Sequence, residues 1–463
     1  MNKLHVVSPF DGHVISELEF THETEIEDTL NTAERVAHSH DAMIPPFERT
    51  AILERTANLV EAKAHVFAKQ AAEEGGKPLT DSKVELERAI QGIREAARSI
   101  NQLVGREIPM KLNGPSNNRM AFTIREPIGP VVAISAFNHP FNLIVHQVIP
   151  AIAVGCPVIV KPALTTPLSC FNLVQCLLEA GLPNDWCKVV ICDNDLAERI
   201  VTDPRVGLFS FIGSAKVGWA LRSKLAPGVR CTLEHGGAAP VLIDSTADIQ
   251  DALPLLAKGG YYHAGQVCVS VQRVFAHESI ANDVVRELAD LAKQMVVGNP
   301  ENEATDVGPL ILEREVNRVA QWVDEAQKLG GTIQAGGAKI NNTCYAPTVI
   351  LNPPHTAKVS TEEIFGPVIN VYTYTDRLDA IERANHIPFS FQAAVFTKDI
   401  DVALDTVKRL NAAAVMINDH TAFRVDWMPF AGRKSSGLGV GGILPTMLEM
   451  TEEKMIVFRS ALI

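Results

Sequence analysis

From Pro127 onward the chain alternates between short apolar runs and amphipathic stretches, and this alternation restricts the fold more than any other feature. The segments IGPVVAISA, CPVIVKPA, CKVVIC and VGLFSFIGS read as buried strands, while NLIVHQVIPAIAVG, TPLSCFNLVQCLLEAGL and AKVGWALRSKLA read as helices. Strands separated by helices of this length pair in parallel through right-handed crossovers, which predicts a doubly wound α/β sheet of the dinucleotide-binding type. A second alternating series runs from near Pro240 to about Asn418. Its strands are VQRVFAH, TIQAGG, VINVYTY, QAAVFTK and AAAVMIN, separated by helices such as ILEREVNRVAQWVDEAQKLG, and it predicts a second α/β unit with its own sheet.

Before these units, Glu23 to Val104 carries apolar residues at three- and four-residue spacing and reads as amphipathic helices packed on something larger. The stretch IPMKLNGPSNNRMAFTIREP then places a polar turn, Asn113 to Asn118, between two segments that fit a projecting hairpin. The tail EKMIVFRSALI reads as a lone edge strand in need of a partner.

A chain of 463 residues, 46% hydrophobic and 21% charged, suits a protein with more than one core. Its net charge of -12 repels phosphate backbones and anionic lipid, so neither nucleic acid nor membrane is an expected partner. The longest apolar run, Leu143 to Val160, is broken by His146, Gln147, Pro150, Gly155 and Pro157 and reads as a helix followed by a strand, not a membrane span. The opening MNKLHVVSPFDG has no apolar core of a secretory signal, so a cytoplasmic location is expected. The eight cysteines show no paired C-x-x-C spacing; reduced, buried thiols and no metal site are expected.

Several junctions carry chemically capable residues. In FIGSAKVG a strand ends at Gly213 and Ser214 before a helix whose first N–H groups suit an anion, although ordinary turn chemistry explains the same residues. VIVKPA puts Lys161 at the C-terminal end of a neighbouring strand, where open parallel sheets bind ligands. In AFNHPF, Asn138 fits either a cap or a donor to an oxyanion. In LEHGG, Glu234 at a strand tip is either a solvated carboxylate or a base. GYYHAGQVC delivers Cys268 after a glycine-containing turn, where a partly exposed thiol near a helix start would have its thiolate favoured by backbone dipoles.

These motifs occur in a fixed order, F-N-x-P, K-P, G-S-x-x-x-G, E-x-G-G and G-Q-x-C, and are followed by EEIFGPV and PFAGRKSSGLG. The array resembles the NAD(P)-dependent aldehyde dehydrogenase superfamily from about Ser8 to Phe458. The resemblance implies Cys268 as nucleophile, Glu234 as general base and Asn138 as oxyanion donor. It places Lys161 and Glu363 at the cofactor riboses, Phe365 at the nicotinamide, and Gly213 with Ser214 at the pyrophosphate. It also implies a Rossmann-type cofactor domain (1–107 and 127–235), a catalytic domain (236–436), and a small oligomerisation β element (108–126 and 446–463) that would build a homodimer or homotetramer.

The chain departs from the family where a glutamate often follows the K-P lysine by three residues: here stands Leu164, so NADP is expected to be accepted alongside NAD. His235 replaces a leucine after the base, and a buried hydrogen bond is the expected role. His139, His420 and Arg424 fall where the resemblance puts the substrate funnel. They suggest a small polar or anionic aldehyde of the lactaldehyde, phosphonoacetaldehyde, sulfolactaldehyde or succinate semialdehyde kind, with an internal Arg424–Asp426 ion pair as the preferred rival explanation for the arginine. A coenzyme-A-acylating semialdehyde dehydrogenase and a cofactor-binding member without turnover are the competing functions. The presence of both Glu234 and Cys268 weighs against them.

Overall fold

A computed structural model describes residues 3–463 and contains two principal sheets. The first has six strands, ordered Gly437–Leu438, Arg230–Glu234, Leu208–Ile212, Val131–Ile134, Val158–Lys161 and Cys187–Val189. All but Gly437–Leu438 run parallel. Alternate residues of each strand face opposite cores. Val131, Ala133, Val158, Val160 and Leu208 join the core under the long helices Pro46–Gly75, Leu79–Ser99 and Asn142–Val154. Val132, Ile159, Phe209 and Phe211 join the core on the other face, with residues of the helices Glu23–His38 and Asn194–Val201. Burial on both faces explains why these strands are continuous apolar runs.

Strand order reverses beside Val131–Ile134, whose neighbours are Val158–Lys161 on one side and Leu208–Ile212 on the other. The crevice that such a reversal opens at the strand C-termini is where an open α/β sheet receives a ligand.

The second sheet has seven strands, ordered Thr332–Ala335, Thr348–Leu351, Val368–Tyr374, Val271–His277, Ala239–Ile243, Gln392–Phe396 and Ala414–Ile417. All pairs are parallel except Thr332–Ala335 with Thr348–Leu351. Wholly parallel pairing does not extend to that edge because the 336–347 connection contains no crossover helix; Gly336 and Gly337, both at positive φ, turn the chain back on itself.

The C-terminal strand Thr451–Arg459 pairs along all nine residues with Arg119–Pro127, and Glu107–Ile108 completes a three-stranded antiparallel sheet. The projecting hairpin expected from sequence is thus mostly one long strand with a two-residue partner, because Pro109 ends pairing along the other arm. A further hairpin, Lys3–Val7 with Val14–Glu19, was not anticipated from its sequence pattern. No helix among the described residues is long and apolar enough to cross a membrane.

Candidate active site

The crevice at the strand reversal opens into a cavity of about 680 Å³ that reaches the ends of both principal sheets. Its walls are set by loops whose backbones are tied down from behind. After Val131–Ile134 the chain turns through Asn138 and His139 into the helix Asn142–Val154. Glu85 Oε1 accepts the N–H groups of Phe141 and Asn142, both at 2.9 Å, and its other oxygen accepts from Lys77 Nζ at 2.7 Å. Both members of this ion pair are fully buried. A carboxylate at a helix N-terminus satisfies donors that the helix cannot, and Lys77 compensates its charge.

Opposite this turn lies the loop that carries Cys268. His263, Ala264 and Gly265 adopt φ of 47°, 55° and 70°. Gly265 has no alternative, because a Cβ there would stand 2.1 Å from the carbonyl oxygen of Gly366. Such a run costs about 1–2 kcal/mol for each residue with a side chain, so its surroundings must hold it. Gln266 does much of this: its Oε1 accepts from Ile311 N at 2.9 Å, and its Nε2 donates to the carbonyls of His263 and Pro309. The carbonyl of Gln266 accepts from Asn138 Nδ2 at 2.9 Å, joining the two loops.

Cys268 follows this turn and precedes the strand Val271–His277, so it is not at a helix start and no helix dipole favours its thiolate. Burial, with the nearby Glu363 carboxyl adding to it, pushes the thiol up to about 12, while the Arg424 guanidinium opposes the shift. Of the eight cysteines only Cys268 and Cys231 retain partial exposure. Glu234 ends the strand Arg230–Glu234 with its carboxyl against Gly441; a Cβ on Gly441 would stand 2.2 Å from Oε1. Burial raises the proton affinity of Glu234, and Arg424 again opposes it.

Next to Glu234 on the cavity wall, Gly213 follows the strand Leu208–Ile212, its N–H donating to the Glu234 carbonyl at 3.1 Å, and Ser214 begins the helix Ala215–Arg222 without a side-chain cap. Val217 N and Gly218 N donate to the Ser214 carbonyl at 3.1 and 3.0 Å, which leaves the N–H groups of Ala215 and Lys216 available to an anion. Lys161, nearly buried at the tip of its strand, makes no ion pair among the described residues. Glu363 accepts from Gly237 N at 3.1 Å and is pushed up to about 8 by burial. Gly236 permits this approach, since a Cβ there would lie 1.7 Å from Glu363 Oε1. Phe365, at φ 44°, meets Phe137 edge-on at 5.9 Å. An uncapped helix N-terminus, an unpaired lysine and a cavity of this size are compatible with a dinucleotide. His235 stands beside this helix start: its Nδ1 lies 2.8 Å from the Gly213 carbonyl, and its ring packs against Phe211 and Trp219.

His139, His420 and Arg424 also line the cavity. His139 Nε2 lies 3.4 Å from the Tyr262 hydroxyl, and burial keeps the ring well below the usual histidine range. Ala422 N donates to His420 Nδ1 at 3.2 Å. Arg424 stacks on Phe430, 3.5 Å from the ring centre, and its Nη2 lies 3.4 Å from His146 Nδ1.

The expected Arg424–Asp426 ion pair does not form. Asp426 accepts instead from Arg88 Nη2 at 2.8 Å and Nε at 3.2 Å, from Asn142 Nδ2 at 3.1 Å and from His146 Nε2 at 2.6 Å. Burial would raise the Asp426 carboxyl, but these hydrogen bonds and the Arg88 charge hold it far below the usual range. Burial, reinforced by Arg424, brings His146 down to about 4, so its neutral ring donates to Asp426 and presents Nδ1 to Arg424. Arg424 makes no ion pair among the described residues, and its Nε has no partner. The sequence reasoning missed Arg88, His146, Asn142 and Gln266. Arg88 reaches Asp426 across 338 residues, and a helical periodicity gives no signal for such a contact.

Among the described residues there is no cluster of three or more His, Cys, Asp or Glu side chains able to hold a metal ion.

Residues 1–456 match the model of the aldehyde dehydrogenase family. The chain is 37% identical to a 3-sulfolactaldehyde dehydrogenase of Priestia aryabhattai over 435 residues, covering 93% of this chain and 90% of that protein. It is 33% identical to a lactaldehyde dehydrogenase of Methanococcus maripaludis over 461 residues, covering 98% and 97%. Among solved structures, aldehyde dehydrogenase 21 of Physcomitrella patens in complex with the product succinate superposes with a TM-score of 0.96 at 32% identity, covering 99% of this chain and 95% of that one. Glyceraldehyde-3-phosphate dehydrogenase of Methanocaldococcus jannaschii complexed with NADP gives 0.93 at 32% identity, covering 99% and 100%.

Proposed function

The chain belongs to the aldehyde dehydrogenase family and oxidises aldehydes with NAD or NADP, and from that premise we propose that it converts a short anionic aldehyde to its carboxylic acid through a Cys268 thioester that Glu234 helps to hydrolyse. The observation that carries this reading is the convergence of Asn138, Glu234 and Cys268 on one cavity that the uncapped Gly213–Ser214 helix start also lines.

The chemistry follows from what each group can do there. Cys268 gives up its thiol proton to water and the thiolate Sγ adds to the aldehyde carbon, converting it to a tetrahedral thiohemiacetal whose oxygen carries the charge. Asn138 Nδ2, already aimed at this loop through the Gln266 carbonyl, and the Cys268 N–H are the donors for that oxygen; a single such donor is worth about 2.7–4 kcal/mol in comparable sites. Gly213 and Ser214 would hold the pyrophosphate of the nicotinamide cofactor, Lys161 and Glu363 its riboses, and Phe365 would flank the ring. Bound there, the oxidised nicotinamide supplies the two-electron acceptor. Glu234, made a better proton acceptor by burial, takes the proton of the water that attacks the Cys268 thioester and releases the acid.

The substrate end supports an anionic head group. Arg424 is a stacked guanidinium without an ion-pair partner, and a buried cation of that kind gains most from an acid supplied by a ligand. Two of the proteins named above agree in kind, since 3-sulfolactaldehyde carries a sulfonate and succinate carboxylates, whereas lactaldehyde carries no charge. Glu234 at the cavity also favours transfer of the thioester to water over transfer to coenzyme A.

The test is reduction of NAD or NADP with a panel of short aldehydes by the wild type and by Cys268→Ser. Loss of turnover by about a thousandfold or more is expected in the variant; retention of full turnover refutes the thioester. Product that forms only when coenzyme A is added refutes hydrolysis.

A further inference from the structure

The cluster behind Arg424 sets how much charge the head group can bring. Arg88 and Arg424 both approach His146, but Asp426 holds Arg88 through two hydrogen bonds and contacts Arg424 through none. His146 is neutral, as are the buried His139 and the partly buried His420 at neutral pH. Lys77 is cancelled by Glu85 at 2.7 Å. Lys258, on the cavity wall, is exposed to solvent, where its field is screened.

Among the described residues Arg424 is therefore the one guanidinium on this wall that no hydrogen-bonded carboxylate compensates; Glu234 acts on it only through space, and the Asp426 carboxylate lies close behind it. A head group with one negative charge balances Arg424. A second negative charge finds no further unpaired buried cation on the cavity wall among the described residues, since Arg314 and Arg318 there both pair with Glu315, and it meets Asp426 in surroundings where water screens little.

We propose that Asp426, by consuming Arg88, makes this pocket selective for aldehydes whose remote acid is a monoanion, a carboxylate or sulfonate, over those bearing a dianionic phosphonate or phosphate. Asp426 is then a positioning residue that fixes specificity through charge without touching the reacting atoms. The inference rests on the anionic-aldehyde reading above, and its test separates the two.

The experiment compares kcat/KM for aldehydes of one chain length ending in carboxylate, sulfonate, phosphonate or methyl, at about pH 8, where a phosphonate carries close to two charges. The wild type is expected to use the carboxylate and sulfonate at least about tenfold better than the phosphonate, and better than the methyl compound. Asp426→Asn keeps the volume and frees Arg88, so the phosphonate-to-sulfonate ratio is expected to rise by about tenfold or more. Arg424→Gln is expected to bring the sulfonate and methyl compounds level. A wild-type phosphonate rate equal to the sulfonate rate overturns the proposal without the use of any variant. An unchanged ratio in folded Asp426→Asn also overturns it. A wild type that uses the methyl aldehyde as well as every anion instead refutes the anionic-aldehyde reading itself.

Discussion

Gly441→Ala isolates the role of Glu234 without removing its carboxylate. Gly441 does not lie in the left-handed region, so alanine carries no backbone penalty there. The new Cβ would stand 2.2 Å from Glu234 Oε1 and 3.0 Å from the Phe430 carbonyl. Carbon and oxygen in contact settle at about 3.3 Å, so the carboxyl must retreat by about 1 Å, whereas the loop absorbs the second contact with a small shift. A misplacement of about 1 Å in a catalytic group is worth about a hundredfold, or about 2.7 kcal/mol of barrier, in the step that group serves. If Glu234 serves the hydrolytic step, Cys268 still forms its thioester at the wild-type rate. Stopped-flow absorbance of the reduced nicotinamide should then show a burst equal to the active-site concentration, followed by a steady rate about a hundredfold below wild type. Hydroxylamine, which attacks thioesters without a general base, should restore much of the turnover. A burst rate that falls as far as the steady rate, or a kcat within about threefold of wild type, refutes the reasoning.

Arg424→Ala should raise KM for an anionic aldehyde far more than for a neutral one of equal length; equal effects on both would show that the guanidinium does not bind the acid. Alkylation of Cys268 by iodoacetamide in the free enzyme should keep accelerating above pH 9, because burial lifts the thiol to about 12; a plateau near the free-thiol value of about 8.5 would contradict that environment. Lys77→Met leaves Glu85 charged, buried and unpaired, and should cost about 3–5 kcal/mol in chemical denaturation; a loss under about 1 kcal/mol would mean that Glu85 is not a charged cap. NADP should be accepted, and Leu164→Glu should lower kcat/KM for NADP by about tenfold or more while sparing NAD; a wild type that disfavours NADP a hundredfold refutes the inference from Leu164.

Much of this architecture was legible because parallel strands buried on both faces leave short apolar runs, such as VVAI and LFSFI, whose length and regular alternation with longer helical stretches mark them as strands. Asn138, Glu234 and Cys268 were legible for a related reason: each lies at or just beyond an element end that the hydrophobic pattern marks, and ordered motifs flank them. The edges were harder to read. Thr332–Ala335 looks like any other strand of its series, and only the missing crossover helix after it reverses its direction. The surroundings of the thiol were misjudged, because the sequence shows a turn at His263 to Gly265 but not that three left-handed residues place Cys268 ahead of a strand and away from any helix start. The partner of Arg424 was misjudged too. Asp426 is two residues away along the chain, but its carboxylate turns to Arg88, and that preference exists only once two distant segments have packed together.

The Asn138–Gln266 bridge divides the cavity wall into two kinds of construction. Backbone carbonyls and amides anchor the reacting end, while the recognition end is made from side chains that bind one another. On the proposed reading, exchanges at Arg88 and Asp426 would shift substrate preference while the hydrogen bonds that hold the loop presenting the sulfur stay intact. Arg424 is the exception: its charge also acts on Cys268 and Glu234, so selectivity and reactivity meet at that one side chain.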